Sequence, residues 1–223
     1  MSTDLNVNKN EIKRYLGYQG VKEYSPEIEE AIDECLEEMK KVVSPRYVYK
    51  RFPIIWLDDG GSHVLEFSGV KIKEGSLTAN LRGCTDIVML AVTLGPEPDR
   101  LVKRAGLRQS FKAMVYQATG AAMVEAWCDE INEKIIAEAQ EDGLYARPRF
   151  SPGYGNFPLE TQKDFERILM MHKKIGVSLS ESLLMTPTKS VTAVIGLSKE
   201  KLPCIKSGCE ICLKNDTCEY SRK

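Results

Sequence analysis

The run Arg149-Phe150-Ser151-Pro152-Gly153-Tyr154 places an arginine just ahead of a Pro-Gly-Tyr turn. A guanidinium is a planar fork that can donate two parallel N–H bonds to one carboxylate. Pro152-Gly153 supplies a tight turn, and Gly153 lets the backbone approach a ligand closely. Tyr154 adds a flat wall. Such a loop suits a small ligand with an acid at one end and a ring at the other. It equally suits a plain surface turn with a solvated arginine.

Thiols make the second chemical cluster. Cys204, Cys209, Cys212 and Cys218 fall within the last twenty residues with the spacing C-x4-C-x2-C-x5-C. In a reducing compartment, four close thiols point to a metal rather than to disulfides. Thiolates hold zinc tetrahedrally or anchor an iron–sulfur cluster. The spacing itself leaves both an iron–sulfur cluster and zinc open. Reduced free thiols or a redox pair also fit. Cys35, Cys84 and Cys128 lie in apolar patterns and read as small buried hydrophobes. His63 lies in a strand pattern and His172 at a helix end, and both read as structural. The chain has no G-x-G-x-x-G after a strand and no P-loop, so nothing points to a dinucleotide or to ATP.

The elements that must position these residues can be read in order. A short helix ends near Gly17. A second is capped by Ser25, with Pro26 in its first turn, and carries Ile28, Ala31, Ile32, Cys35, Leu36, Met39 and Val43 as one apolar stripe. Tyr47 to Leu57 reads as one strand, turning at Asp58-Asp59-Gly60-Gly61 into a return strand, His63 to Phe67. Residues 77–82 read as a short helix closed by Gly83. Asp86 to Leu94 is a buried strand, entirely apolar from Ile87 to Val92. A loop at Gly95 to Asp99 enters a helix near Arg100. Leu107 to Glu141 reads as one long helix tolerating Gly120, with Phe111, Val115, Ala118, Ala122, Glu125, Cys128, Asp129 and Asn132 on one face. Leu159 to Met171 is another helix. Ser182 to Met185 and Val191 to Leu197 read as a hairpin around Thr186-Pro187-Thr188. Hairpin-rich strands with grouped helices give α+β, not a doubly wound sheet.

At 223 residues the chain is long enough for one substantial core. Its 43% apolar and 28% charged residues are ordinary for a water-exposed globular fold, and a net charge of −1 argues against nucleic acid and anionic membranes. No apolar run approaches a membrane span. The opening Met1-Ser2-Thr3-Asp4-Leu5-Asn6 has no signal-peptide pattern, so the expected location is the cytoplasm.

The sequence resembles the activation domain of cobalamin-dependent methionine synthase. Arg149 to Tyr154 looks like that family's S-adenosylmethionine-binding motif. Ile175-Gly176-Val177-Ser178-Leu179-Ser180-Glu181-Ser182 and Met185-Thr186-Pro187-Thr188-Lys189-Ser190-Val191-Thr192 resemble its G-x-x-L-[ST]-E-S segment, proline turn and S-V-S strand. Val124-Glu125-Ala126 stands where the family has an acid facing the ligand. The resemblance covers roughly residues 75 to 198. It implies a twisted antiparallel sheet with packed helices over residues 1–198, followed by a Cys-rich tail, 199–223. It further implies S-adenosylmethionine as ligand. Arg149 would take the methionyl carboxylate, Glu125 the amino group or sulfonium, and Ser151, Gly153 and Tyr154 would shape the loop. Cobalamin would come in trans, because no D-x-H-x-x-G corrinoid signature occurs here. The implied partners are a cobalamin-binding methionine synthase or other corrinoid protein, and a flavodoxin or ferredoxin as electron donor. The sequence departs from the family at Gly155, where proline is frequent and glycine is expected to loosen the loop. The family's tyrosine pair has no counterpart; its position falls near Pro203-Cys204.

Overall fold

The computed structural model describes residues 5–18, 25–59, 62–155 and 157–202. At its centre lies a four-stranded antiparallel sheet of β1 (Arg46–Pro53), β5 (Asp86–Thr93), β9 (Ser190–Ser198) and the two-residue β6 (Tyr145–Ala146). Their order is β1-β5-β9-β6. β5 and β9 are the inner strands and are covered on both faces, which is why β5 reads as an unbroken apolar run. The pleat sorts their side chains by parity. Val88, Leu90, Val92, Ile195 and Leu197 join one core cluster, while Ile87, Met89, Ala91 and Val194 join another.

The first cluster is roofed by helices: α1 (Lys9–Tyr15), α2 (Pro26–Val42) and α5 (Ser110–Glu141), with α4 (Glu97–Gly106) packed beside α5. The stripe read on α2 is its inner face, with Ile32, Cys35, Leu36 and Met39 buried. Pro26 takes the first turn, but Ser25 makes no capping bond to the helix; its hydroxyl turns to Glu27 at 3.5 Å instead. On α5 the expected face divides. Val115, Ala118, Ala122 and Cys128 are buried, whereas Phe111 is exposed and Glu125 sits at the rim.

Gly120 is more than a tolerated interior glycine. A Cβ there would lie 2.7 Å from Cε of Lys189, whose stem crosses α5 at that point and is only 4% exposed. Burial lowers the Lys189 ammonium below its ordinary value, and the charge of Asp99 on α4 partly offsets this.

The second cluster is closed by α3 (Ser76–Leu81), α6 (Gln162–Leu169), α7 (Met171–Ile175) and a small sheet of β2 (Ile55–Asp59), β3 (Ser62–Phe67) and β4 (Val70–Ile72). Here three expectations change. The strand read as Tyr47 to Leu57 is two strands in two sheets. β1 ends at Pro53, which has no N–H to extend a ladder, and the Ile54 N–H bonds to the Thr85 carbonyl at 2.9 Å as the chain changes sheet. The helix read as Leu159 to Met171 is a 3₁₀ turn, Leu159–Thr161, followed by α6 and α7, broken at Met170 with φ +55°. That break turns both Leu169 and Met171 into the core, at 1% and 0% exposure. The hairpin around Pro187 does not form. β8 (Met185–Thr186) pairs with β7 (Ser178–Leu179), and β9 pairs with β5 and β6. Asp99 fixes the handover by accepting from the Thr188 N–H (2.7 Å) and hydroxyl (2.5 Å).

Candidate ligand site

After β6 the chain continues along the edge of β9. The Arg147 N–H donates to the Gly196 carbonyl at 2.7 Å, and Phe150 and Val194 exchange N–H···O bonds of 2.9 and 2.8 Å. Phe150 stands opposite Val194 and packs into the second cluster, its ring 6.3 Å from that of Phe157. Arg149, the preceding residue in extended backbone, therefore emerges on the opposite face, toward α5. There it meets two acids one helical turn apart. Nη2 donates to Glu125 Oε2 at 2.7 Å, and Nη1 donates to Asp129 Oδ1.

Electrostatics keep this arginine charged. Burial by itself would lower its pKa; the Cys128 sulfur, Asp129 and Glu125 outweigh that and hold it above the ordinary value. Cys128 is fully buried and its thiol is pushed up to about 12, chiefly by desolvation, so it is protonated at neutral pH and the two carboxylates are the partners that count. The pairs use one N–H on each terminal nitrogen of the fork. Among the described residues, no acceptor takes the Nε–H or the second N–H of either terminal nitrogen. The cluster is open to solvent: Arg149 is 25%, Glu125 35% and Asp129 65% exposed at the side chain. The half-buried Tyr15 of α1 borders it, its phenol raised by burial and then by the charge of Glu125. The neighbouring Arg14 is spent on Glu11, through Nε at 3.0 Å and Nη2 at 2.8 Å.

The loop beyond Arg149 is tied to itself. The Gly153 N–H reaches the Phe157 carbonyl at 2.9 Å, the Tyr154 N–H the Ser151 carbonyl at 3.2 Å, and the Phe157 N–H the Tyr154 carbonyl at 3.0 Å. Ser151 is half-buried and Pro152 buried, while the Tyr154 side chain stands out at 71% exposure. Gly153 has φ +89° and Gly155 φ +55°. The expectation that Gly155 loosens the loop is corrected: its position is one that proline, locked near φ −65°, cannot take. A Cβ at Gly155 would also lie 2.2 Å from Oγ of Ser76 at the start of α3. The glycine presses the loop onto α3.

Of the residues singled out in the sequence, Arg149 and Glu125 are thus brought together, with Ser151, Gly153 and Tyr154 on the adjoining loop. Cys204, Cys209, Cys212 and Cys218 lie outside the described residues, as does the Pro203-Cys204 position. Asp129 is read in the sequence on the same helical face as Glu125, four residues further on, but without a part in the site. Tyr15 is not singled out there, since its approach depends on how α1 packs on α5. Cys35, Cys84 and Cys128 are buried free thiols, as their apolar patterns suggest. Nδ1 of His172 lies 2.9 Å from the Ser178 hydroxyl. Among the described residues no group of three or more His, Cys, Asp or Glu could hold a metal, and no helix is long and apolar enough to cross a membrane.

An antiparallel sheet roofed by one long helix, with an acid-paired arginine at the sheet edge, defines an α+β architecture. The profile of the family described as vitamin B12 dependent methionine synthase, activation domain, matches residues 78–201, a span that holds α5, the Arg149 loop and β9. The chain belongs to that family. Its structure is similar to one described as the crystal structure of the MetH reactivation domain bound to AdoHcy. The TM-score is 0.58 at 19% identity, over 86% of this chain and 77% of that one, a likeness of fold. No curated protein sequence matches this one.

Proposed function

We propose that this chain binds S-adenosylmethionine between α5 and the Arg149–Tyr154 loop. It thereby supports reductive methylation of cob(II)alamin carried by a separate cobalamin-dependent methionine synthase or related corrinoid methyltransferase. The observation that carries the reading is the Arg149–Glu125 pair, 2.7 Å apart on an open face. An arginine with donors to spare beside a carboxylate complements both ends of an α-amino acid: the guanidinium takes the ligand carboxylate and Glu125 its ammonium. Membership in the activation-domain family supports the ligand class, as does the AdoHcy bound by the similar reactivation domain. Ser151, Gly153 and Tyr154 form the wall along which the rest of the ligand lies. In such a reaction the reduced cobalt attacks the ligand's methyl group, so no protein base is required. What these side chains supply is position, which can remove much of a barrier. The corrinoid and a flavodoxin- or ferredoxin-type donor come from other chains, in the cytoplasm.

Calorimetry with S-adenosylmethionine on wild type and Arg149→Ala tests the site. Losing a charge-assisted carboxylate contact should weaken binding by about tenfold or more. Equal affinity in the two proteins would overturn the assignment.

The same reading gives the tail a role. Cys204, Cys209, Cys212 and Cys218 would bind one metal centre, an iron–sulfur cluster rather than zinc. Reduction of cob(II)alamin is a low-potential one-electron step, which a thiolate-held cluster suits and redox-inert zinc does not. Anaerobically purified protein should be brown and lose its iron and sulfide in Cys209→Ala and Cys212→Ala. Colourless protein with stoichiometric zinc would make the tail a structural device. Reaction at the core thiols will not confuse the readout, because burial pushes Cys35, Cys84 and Cys128 up to about 12, 11 and 12.

A further inference from the structure

We propose that Asp129 sets the charge selectivity of this site, favouring a cationic S-adenosyl ligand over its neutral demethylated counterpart. The inference rests on the binding reading above. Binding an amino acid needs one cation and one anion, which Arg149 and Glu125 already provide. Asp129 is a second acid on the same guanidinium, bonded to Nη1 while Glu125 holds Nη2. Among the described residues, one guanidinium against two carboxylates leaves one negative charge in excess at this cluster. Arg14 on α1 does not cancel it, because Arg14 is held by Glu11 through two bonds.

The Asp129 side chain is 65% exposed, and among the described residues its ion pair is with Arg149. Its consequence falls on the ligand. S-adenosylmethionine and S-adenosylhomocysteine share a carboxylate, an ammonium, the sugar and the base; only the first adds a sulfonium. A site with surplus negative charge favours the first and releases the second, which is the order a methyl donor and its spent product require. Because Asp129 is solvated, the effect is small and is screened by salt.

The test measures dissociation constants of both ligands by calorimetry for wild type, Asp129→Asn and Asp129→Glu. Wild type should bind S-adenosylmethionine more tightly than S-adenosylhomocysteine. The ratio should fall about 2- to 5-fold in Asp129→Asn, survive in Asp129→Glu, and shrink in wild type at high salt. If Asp129 serves only to orient Arg149, Asp129→Asn will weaken both ligands by the same factor, and the proposal fails. An unchanged ratio also overturns it. Wild type that binds neither ligand would overturn the binding reading itself, a result distinct from either.

Discussion

Gly155 shows how much of the candidate loop depends on one backbone angle. At φ +55°, with Ser76 Oγ occupying the space a Cβ would need, the residue fixes where the loop bearing Tyr154 meets α3. Proline at this position should cost at least about 1–3 kcal/mol and lower ligand affinity together with stability. Urea denaturation of Gly155→Pro checks it, and wild-type stability would contradict it. This requirement was invisible in the sequence because the sign of φ is set by a distant packing partner. Arg149 and Glu125, by contrast, can be named as candidates from residue type and motif, and the structure pairs them. Asp129 was legible in principle from its i, i+4 spacing, which names a shared helix face but not the cation the two acids would share.

Elements were readable where one periodicity ran without interruption. The α2 stripe and the apolar run of β5 both correspond to buried faces. Readings failed where the chain changes partner without changing pattern. Tyr47 to Leu57 keeps its strand character across Pro53, and no glycine or proline marks the break at Met170. The partner of β9 is β5, about a hundred residues earlier, which local turn signals at Pro187 cannot report.

The crossing of Lys189 over Gly120 gives a test at this scale. Alanine for glycine inside a helix ordinarily stabilises by about 0.5–1 kcal/mol. Here the new Cβ would meet the stem of Lys189, buried between α5 and the end of the sheet, so Gly120→Ala should destabilise wild type. In a Lys189→Ala background the same change should stabilise. Denaturation of the four proteins decides, and the same sign in both backgrounds would show that the crossing does not explain the glycine.

At the scale of the whole molecule, two cores on either side of one sheet enclose β9, and β9 in turn aligns the Arg149 segment against α5. Local secondary structure thus matters less to the site than the sheet edge and helix that meet there. The acid–arginine cluster and Tyr154 lie open rather than enclosed. A ligand held there, as proposed, would leave its reacting methyl within reach of a cobalt carried by a second protein.

The most direct measurement mixes the full chain with a cobalamin-loaded methionine synthase lacking its own activation domain, a one-electron reductant and S-adenosylmethionine, and follows the cobalt absorption spectrum. Methylcobalamin should form faster with the wild-type chain than without it, and Arg149→Ala should return the rate to that of the mixture without the chain. Methylcobalamin forming no faster with the wild-type chain than without it would contradict the proposed function.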